Sequence, residues 1–508
     1  MTNHMDIKEV TAMGQEAGTR AVVLGGSIAG LFAARVLADA YDEVHIVDRD
    51  VLVGNREARR HCPQTYQANG LLARGVHIME ELFPGITQTL LDQGIPRGDL
   101  SGSCRWYTQG YRLKQQDGNL ITLGVLRPEL EWHIRERVQQ IPNVVFVERH
   151  DILGLTTTAD NSRVTGARVQ KHGAKTDTVI EADLVVDATG RGSRTPVWLE
   201  QLGYDKPEEE RKKIDLVYVT QHYKLRPGAD PFEGDVAINQ IAHPGLQRGN
   251  VFFKTDGGRL ELTTYGLLGD HPPTDQTGLY EWVRSLGAKD VYETLRYADP
   301  VDEPVAFRFP TTLRRHYQKL DRFPEGLLVT GDAVTCFNPV YAGGMSVAAL
   351  CAITMRQHLH SGAAPVPQDY FHDLARDAID ASWEMTNTVD LSFPDVPGER
   401  PLKVKIGNFL LKRMQIAATH DGNITARYFT AAGLVAPPET LMSPGFLLKI
   451  LWKSMFGPSQ ESRQPYDWQP PADVEPVFTD PKKLPDNLVK PVTASAKKAT
   501  DTETPRAA

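Results

Sequence analysis

The chain has 508 residues, 41% hydrophobic and 24% charged, an ordinary globular composition too long for one simple core. A net charge of −8 leaves no basic excess to neutralise phosphates, which excludes nucleic acid as the main partner. The four cysteines, Cys62, Cys104, Cys336 and Cys351, are widely spaced without a CxxC pair, so neither a disulfide framework nor a zinc site is expected. Residues 1–19 are polar and flexible in character, with no apolar segment of the secretory type. No apolar run reaches the ~18 residues of a membrane span, so a cytoplasmic, soluble protein is the expectation.

The first predicted element is the strand Ala21-Val22-Val23-Leu24, which runs into Gly25-Gly26-Ser27-Ile28-Ala29-Gly30. A helix follows, then a second strand, Val44-His45-Ile46-Val47, closed by Asp48 and Arg49. Strand, glycine-rich turn, helix and acid-terminated strand make up the dinucleotide-binding βαβ unit. Gly25 permits the tight turn, and Gly30 lets the helix pack closely on the sheet. The turn amides and the positive end of the helix dipole then face a pyrophosphate. Asp48 lies about 20 residues beyond the turn, where a carboxylate accepts hydrogen bonds from a ribose diol. Ser27 stands where the middle glycine of the pattern usually sits, and its small side chain still tolerates a close phosphate.

A loop from Val53 to Thr65 carries Arg56, Arg59, Arg60 and Pro63, and Leu71, Leu72, Val76, Met79 and Leu82 then recur at helical spacing. Short strands are predicted over Gly98 to Thr122. Arg127-Pro128-Glu129 opens a helix on which Leu130, Ile134 and Val138 share a face. Strands at 144–147, 152–155, 164–169 and 182–187 resume the nucleotide fold. From Ile214 to Phe309 the period becomes two, with strands at 216–223, 236–241, 251–254, 260–266 and 305–310 and one helical stretch at 280–286. A buried strand returns at Leu327-Leu328-Val329, helices dominate from Met345 to Phe456, and the tail from Pro458 is too poor in large apolar residues to order itself. The expected division is a nucleotide domain over 20–213 and 311–360, with 98–122 contributing to the substrate side. A β-sheet substrate domain over 214–310, a helical region over 361–456 and a disordered tail over 457–508 complete it.

Two further motifs join the first: Asp187-Ala188-Thr189-Gly190-Arg191-Gly192-Ser193-Arg194, and Gly331-Asp332-Ala333 followed by Asn338-Pro339-Val340-Tyr341-Ala342-Gly343-Gly344-Met345. With these in order, the sequence from about Ala21 to Phe456 resembles the FAD-dependent monooxygenases of the p-hydroxybenzoate hydroxylase fold. It looks most similar to bacterial polyether-pathway epoxidases, and more distantly to squalene epoxidase, through the Asn-Pro-Val-Tyr phrase and the Arg-Pro-Glu-Leu-Glu-Trp helix start. The resemblance implies an α/β fold: a Rossmann-like FAD-binding domain interleaved with an antiparallel-sheet substrate domain, plus a helical C-terminal region. It implies FAD as cofactor, reduced by NADPH or NADH directly or through a flavin reductase. It also implies oxygen transfer from the flavin C4a-hydroperoxide to an apolar substrate, by alkene epoxidation or hydroxylation in secondary metabolism.

In that resemblance Asp332 bonds the ribityl chain, and Pro339, Gly343, Gly344 and Met345 bring backbone to the isoalloxazine ring. Arg127 faces the pyrophosphate, Arg59 reaches the FAD, and Asp187 and Arg194 serve FAD and the nicotinamide donor. Gly331 precedes the ribityl contact. Relatives usually read Gly-Gln-Gly where Ala342-Gly343-Gly344 stands, and histidines where Gln67 and Asn69 stand. No protein acid or base is identified, since the flavin itself carries the chemistry. Tyr218, Phe252 and Tyr265 are candidates for the substrate pocket as strand aromatics. The apolar segment 446–456, with Lys449 and Lys453 one turn apart, either packs on the body or rests on a membrane surface. Three other readings remain: an FAD-dependent reductase of isoprenoid- or polyketide-like substrates, a non-redox cyclase retaining FAD, and a halogenase, whose usual WxWxIP signature Trp106-Tyr107 does not supply.

Overall fold

The computed structural model describes residues 17–359 and 364–462. Most of the expected flexible N-terminus and disordered tail lies outside these residues. Within them, Gly18 and Thr19 already belong to the first strand and Gln460–Ser462 forms a 3₁₀ turn, so order extends slightly beyond the compositional boundaries.

The Rossmann-like unit is a five-stranded parallel sheet. Its elements in chain order are β1 (Gly18–Leu24), α1 (Ile28–Leu37), β2 (Tyr41–Val47), α2 (Arg127–Gln139), β3 (Val144–Val147), β4 (Leu184–Asp187), β5 (Leu327–Val329) and α3 (Gly344–Leu359). The spatial order is β5-β4-β1-β2-β3, every pairing parallel. The near-continuous apolar runs of β1, β4 and β5 suit strands buried on both faces. Register aligns Leu24 with Asp187 and Val47, and Asp187 with Val329, so the carboxyl ends of these strands share one edge. Ligands of open α/β sheets bind at that edge. Gly25 sits at φ 101°, and a Cβ on Gly30 would meet the Gly25 carbonyl oxygen at 1.8 Å.

The second sheet has nine strands. Its long strand Glu209–Leu225 pairs antiparallel with both Val305–Arg315 and Arg259–Gly266. The sheet departs from the all-antiparallel expectation at one place: Ala237–Ile241 pairs in parallel with Cys104–Thr108. That strand comes from far earlier in the chain, and a long connection leaves its direction free. Two helices, Gln276–Ser285 and Lys289–Leu295, cover one face where the pattern predicts a single helical stretch. They bury Tyr280 and Val291 against Tyr223, Phe252 and Leu260.

The C-terminal helices include α4 (Leu402–Ala418) and α5 (Pro444–Ser454), which pack on each other. Met414, Phe446 and Ile450 share a core with Leu100, Leu113 and Leu120, so the helical region closes over the 98–122 segment. Among the described residues no helix is long and apolar enough to cross a membrane.

The Gly30 contact yields a direct test. Gly30→Val places a branched side chain against the Gly25 backbone, and an overpacking loss of about 3 kcal/mol in urea unfolding is expected. Unchanged stability would show that α1 can shift away from the turn.

Candidate functional site

A cleft of about 630 Å³ runs along the carboxyl edge of the parallel sheet. Gly25, Ser27, Ile28 and Ala29 line one end, so the first turn of α1 presents its free amides to the cavity. Asp48 lines the same end. Its Oδ2 accepts from the Gly26 amide at 2.7 Å and its Oδ1 from the Asp50 amide at 2.8 Å, leaving acceptor capacity towards the cavity. Arg49 lies at the rim, 3.8 Å from Asp151.

Beneath this end lies a buried charge network centred on Glu131 of α2, which the sequence motifs do not single out. Arg59 donates to its Oε1 from Nε at 3.0 Å and from Nη2 at 2.8 Å, and Arg135 donates from Nη1 at 3.3 Å. Ser27 Oγ donates to Oε2 at 2.8 Å. Burial opposes ionisation of Glu131, but Arg59, Arg127 and Arg135 outweigh it and hold its pKa below the usual carboxylate range. Arg59 lines the cleft, yet its guanidinium is committed to Glu131, Asp48 and Asp50. Arg127 donates to Asn69 Oδ1 at 3.0 Å and to Ser27 Oγ at 3.2 Å, tying the Ala68–Gly70 loop to the glycine-rich turn.

The middle of the cleft holds groups left open. Arg127 Nε and Arg191 Nη1 are buried without a hydrogen-bond partner, and both residues line the cavity. Asp332 lines it too, and no described residue donates a hydrogen bond to its carboxylate; burial raises its pKa, against the pull of Arg127 and Arg191. Two orphaned guanidinium nitrogens and an open carboxylate along a cleft that starts at a helix N-terminus fit a ligand with phosphates and hydroxyls. The residues therefore fit the expected dinucleotide.

Arg194, Pro339, Gly344 and Met345 also line the cleft. Five expected contacts do not. Gly26 and Gly30 serve the turn and helix packing, and Gly331, at φ 60°, makes room for Ala29. Gly343 lies off the cavity wall. Asp187 is fully buried and accepts from Thr189 Oγ1 at 2.6 Å and from Ser193 and Thr195 hydroxyls at 2.5 Å. It orders the turn that carries Arg191 and Arg194 to the cleft and does not itself line the cavity.

A second cavity, of about 920 Å³ and mostly apolar wall, adjoins the first. Ala68, Asn69, Gly70, Pro339 and Ala342 line both. The Pro339–Ala342 turn is anchored by Asp390, whose Oδ1 accepts from Asn338 Nδ2 and Tyr341 Oη, each at 2.8 Å. Burial pushes the Asp390 pKa up to about 6, against those two donors. Ala342 adopts φ 54°, the region that favours the glycine of related sequences.

Tyr218 lines this apolar cavity. Phe252 and Tyr265 do not. Phe252 points to the opposite sheet face and packs on Phe232, while its neighbours Val251 and Phe253 face the cavity. Tyr265 lies edge-on to Tyr218, and its hydroxyl bridges the Ala242 amide and the Gln240 carbonyl. Trp106 and Phe429, whose tilted rings lie 4.6 Å apart, contribute aromatic wall that strand reasoning over 214–310 overlooks. Gln67, in place of a histidine, is buried and accepts from Thr220 Oγ1 at 2.8 Å, bracing the loop on the sheet. Behind it Glu261 is buried, and desolvation lifts its pKa to about 7 beside His222 and Asp302.

A curated relative decides the grouping. Protein Rv3254 of Mycobacterium tuberculosis is 32% identical over 398 residues, spanning 75% of this chain and 81% of the relative. The chain belongs to the family of protein Rv3254. No protein-family model matches it. Two solved structures share the fold. One is the flavin-dependent brominase Bmp2, at TM-score 0.58 and 12% identity, covering 86% of this chain and 99% of Bmp2. The other is PqsL, a probable FAD-dependent monooxygenase of Pseudomonas aeruginosa, at TM-score 0.55 and 16% identity, covering 74% and 97%. The members of the Rv3254 family thus include a chain with a Rossmann-like core, a large β-sheet and C-terminal helices, the architecture of these flavoproteins.

Removing the Glu131 charge tests the network. Glu131→Gln strands Arg135 in the interior and leaves Arg59 only Asp48 and Asp50, and a loss of about 3 kcal/mol is expected in denaturant unfolding at neutral pH. Because the folded pKa lies below the ordinary glutamate value of 4.5, the wild-type contribution is full above that pH and is lost as pH falls through the folded pKa. The variant's deficit should therefore shrink on acidification; a constant deficit would contradict the charge network.

Proposed function

We propose that the chain is an FAD-dependent monooxygenase that places one oxygen atom on an apolar substrate held in the larger cavity. The observation that carries this reading is the junction of a polar dinucleotide cleft with an apolar cavity across two shared segments, 68–70 and 339–342. A flavin dinucleotide has this division: a charged, hydroxyl-rich length and a flat ring that must meet a dry substrate.

Asp48 would hold the adenosine ribose, the α1 N-terminus and Arg127 the pyrophosphate, and Asp332 the ribityl hydroxyls. The chemistry supplied by bound FAD is the activation of O2 after reduction by a nicotinamide donor, directly or through a reductase. The overall balance is substrate, O2, NAD(P)H and a proton giving oxygenated substrate, water and NAD(P)+. The protein's own part is to orient and to exclude water. Asp390 fixes the Pro339–Ala342 turn at the junction, and Arg127 fixes Asn69 on the facing loop.

Among the described residues that line the apolar cavity there is no aspartate or glutamate. Burial raises the pKa of Tyr218 and Tyr341 and pushes that of Tyr428 up to about 12, while burial and Lys412 lower that of His243. A wall without an anionic base favours attack on an alkene over hydroxylation of a phenol, which benefits from deprotonation. Epoxidation, as in the epoxidases the sequence resembles, is therefore the preferred reading.

Rapid mixing of the anaerobically reduced protein with oxygenated buffer tests the proposal. The expected result is a transient flavin absorbance unlike the oxidised or reduced spectrum, whose decay an apolar alkene accelerates. Direct return to the oxidised spectrum, unaffected by substrate, would overturn oxygen transfer and favour a reductase or a structural flavin.

A further inference from the structure

Helix α5 is apolar on two sides, and among the described residues only one is covered. Phe446 and Ile450 are buried against α4 and the 98–122 segment. On the other side Leu448 is 69% exposed, Trp452 62%, and Met455 and Phe456, in the turn that follows, 73% and 66%. Residues 448, 452 and 455 follow helical spacing and form one stripe. The neighbouring α4 repeats the pattern, with Leu402 at 71% and Phe409 at 51% exposure. Single exposed apolar residues are normal, but two packed helices each carrying such a stripe mark an interaction surface.

Charge identifies the occupant. Residues 402–456 carry seven lysines and arginines against two carboxylates, in a chain whose net charge is −8. Lys405, Lys412 and Lys453 form no ion pair with a described carboxylate, and all three flank the apolar stripes in the helical spacing. A second copy seated symmetrically on this face would bring these like charges together. A bilayer with anionic headgroups meets both features: apolar side chains enter the acyl boundary, and lysine ammoniums snorkel to the phosphates.

We infer that α5 and α4 form a docking face for an anionic lipid bilayer. The inference stands independently of the oxygenase reading. It gives that reading a geometry, because Leu411, Lys405 and Lys412 of α4 also line the apolar cavity. The docked face therefore lies beside the cavity, and an apolar substrate can pass from the bilayer without crossing water.

Flotation of the full chain with vesicles tests the face. The chain is expected to float with phosphatidylcholine vesicles containing phosphatidylglycerol, not with phosphatidylcholine alone, and to be released by salt. Trp452→Glu combined with Phe456→Glu should abolish flotation with an unchanged thermal melt, since both side chains are exposed. Lys453→Gln should weaken binding about fivefold, the equivalent of about 1 kcal/mol for one surface lysine. Equal flotation on both vesicle types, or on neither, overturns the inference. So does flotation that appears only after residues 463–508 are removed, which would make the tail the occupant. A dimer that Trp452→Glu dissociates would assign the face to a second copy and equally overturn it.

Discussion

The polar cleft at the edge of the parallel sheet depends on one buried carboxylate. Glu131 receives hydrogen bonds from the loop that carries Arg59, from the glycine-rich turn through Ser27, and from its own helix through Arg135. Three segments distant in sequence are fixed by one group that water cannot reach. An isolated buried charge is costly, and so is an isolated buried guanidinium; each is tolerated because the others are present. The network also decides which arginines face the cleft. Arg59 is consumed by carboxylates, whereas Arg127 Nε, 3.9 Å from Glu131 Oε2, and Arg191 Nη1 make no hydrogen bond.

The same logic operates at the junction of the two cavities. Asp390 holds Asn338 and Tyr341, and so sets the backbone of the turn that borders both the polar cleft and the apolar cavity. On the facing side, Arg127 and Gln67 brace the 68–70 loop from α2 and from the large sheet. The polar cleft and the apolar cavity are therefore not separate constructions. Asp390 and Thr220 position their segments from behind, while the Arg127–Asn69 contact lies on the cleft wall itself.

Much of the architecture is legible in the sequence because its causes are local. Gly25 and Gly30 must be glycine for reasons of φ and close approach, and the apolar runs of β1, β4 and β5 announce a sheet covered on both faces. Long-range partnerships are not legible: Glu131 lies 72 residues from Arg59, and Asp390 lies 52 from Asn338. Asp187 misleads because a strand-end carboxylate looks alike whether it binds ligand or ties its own turn; Thr189, Ser193 and Thr195 are the local signal that it does the latter. Phe252 misleads through parity alone. On a strand, one step exchanges core for cavity, and Val251 and Phe253 hold the positions assigned to Phe252. The parallel pairing of Cys104–Thr108 is also invisible locally, and with it the contribution of Trp106.

On the proposed reading, the cleft at the sheet edge holds FAD through groups that the fold leaves without hydrogen-bond partners. The most direct measurement is a fluorescence titration of flavin-free protein with FAD and with FMN. One equivalent of FAD should bind, FMN should bind more weakly because it lacks the adenosine half that Asp48 would serve, and Asp332→Ala should weaken both. Equal affinity for the two flavins, or FAD binding indifferent to Asp332 and Arg127, would contradict the placement of the cofactor and the reading built on it.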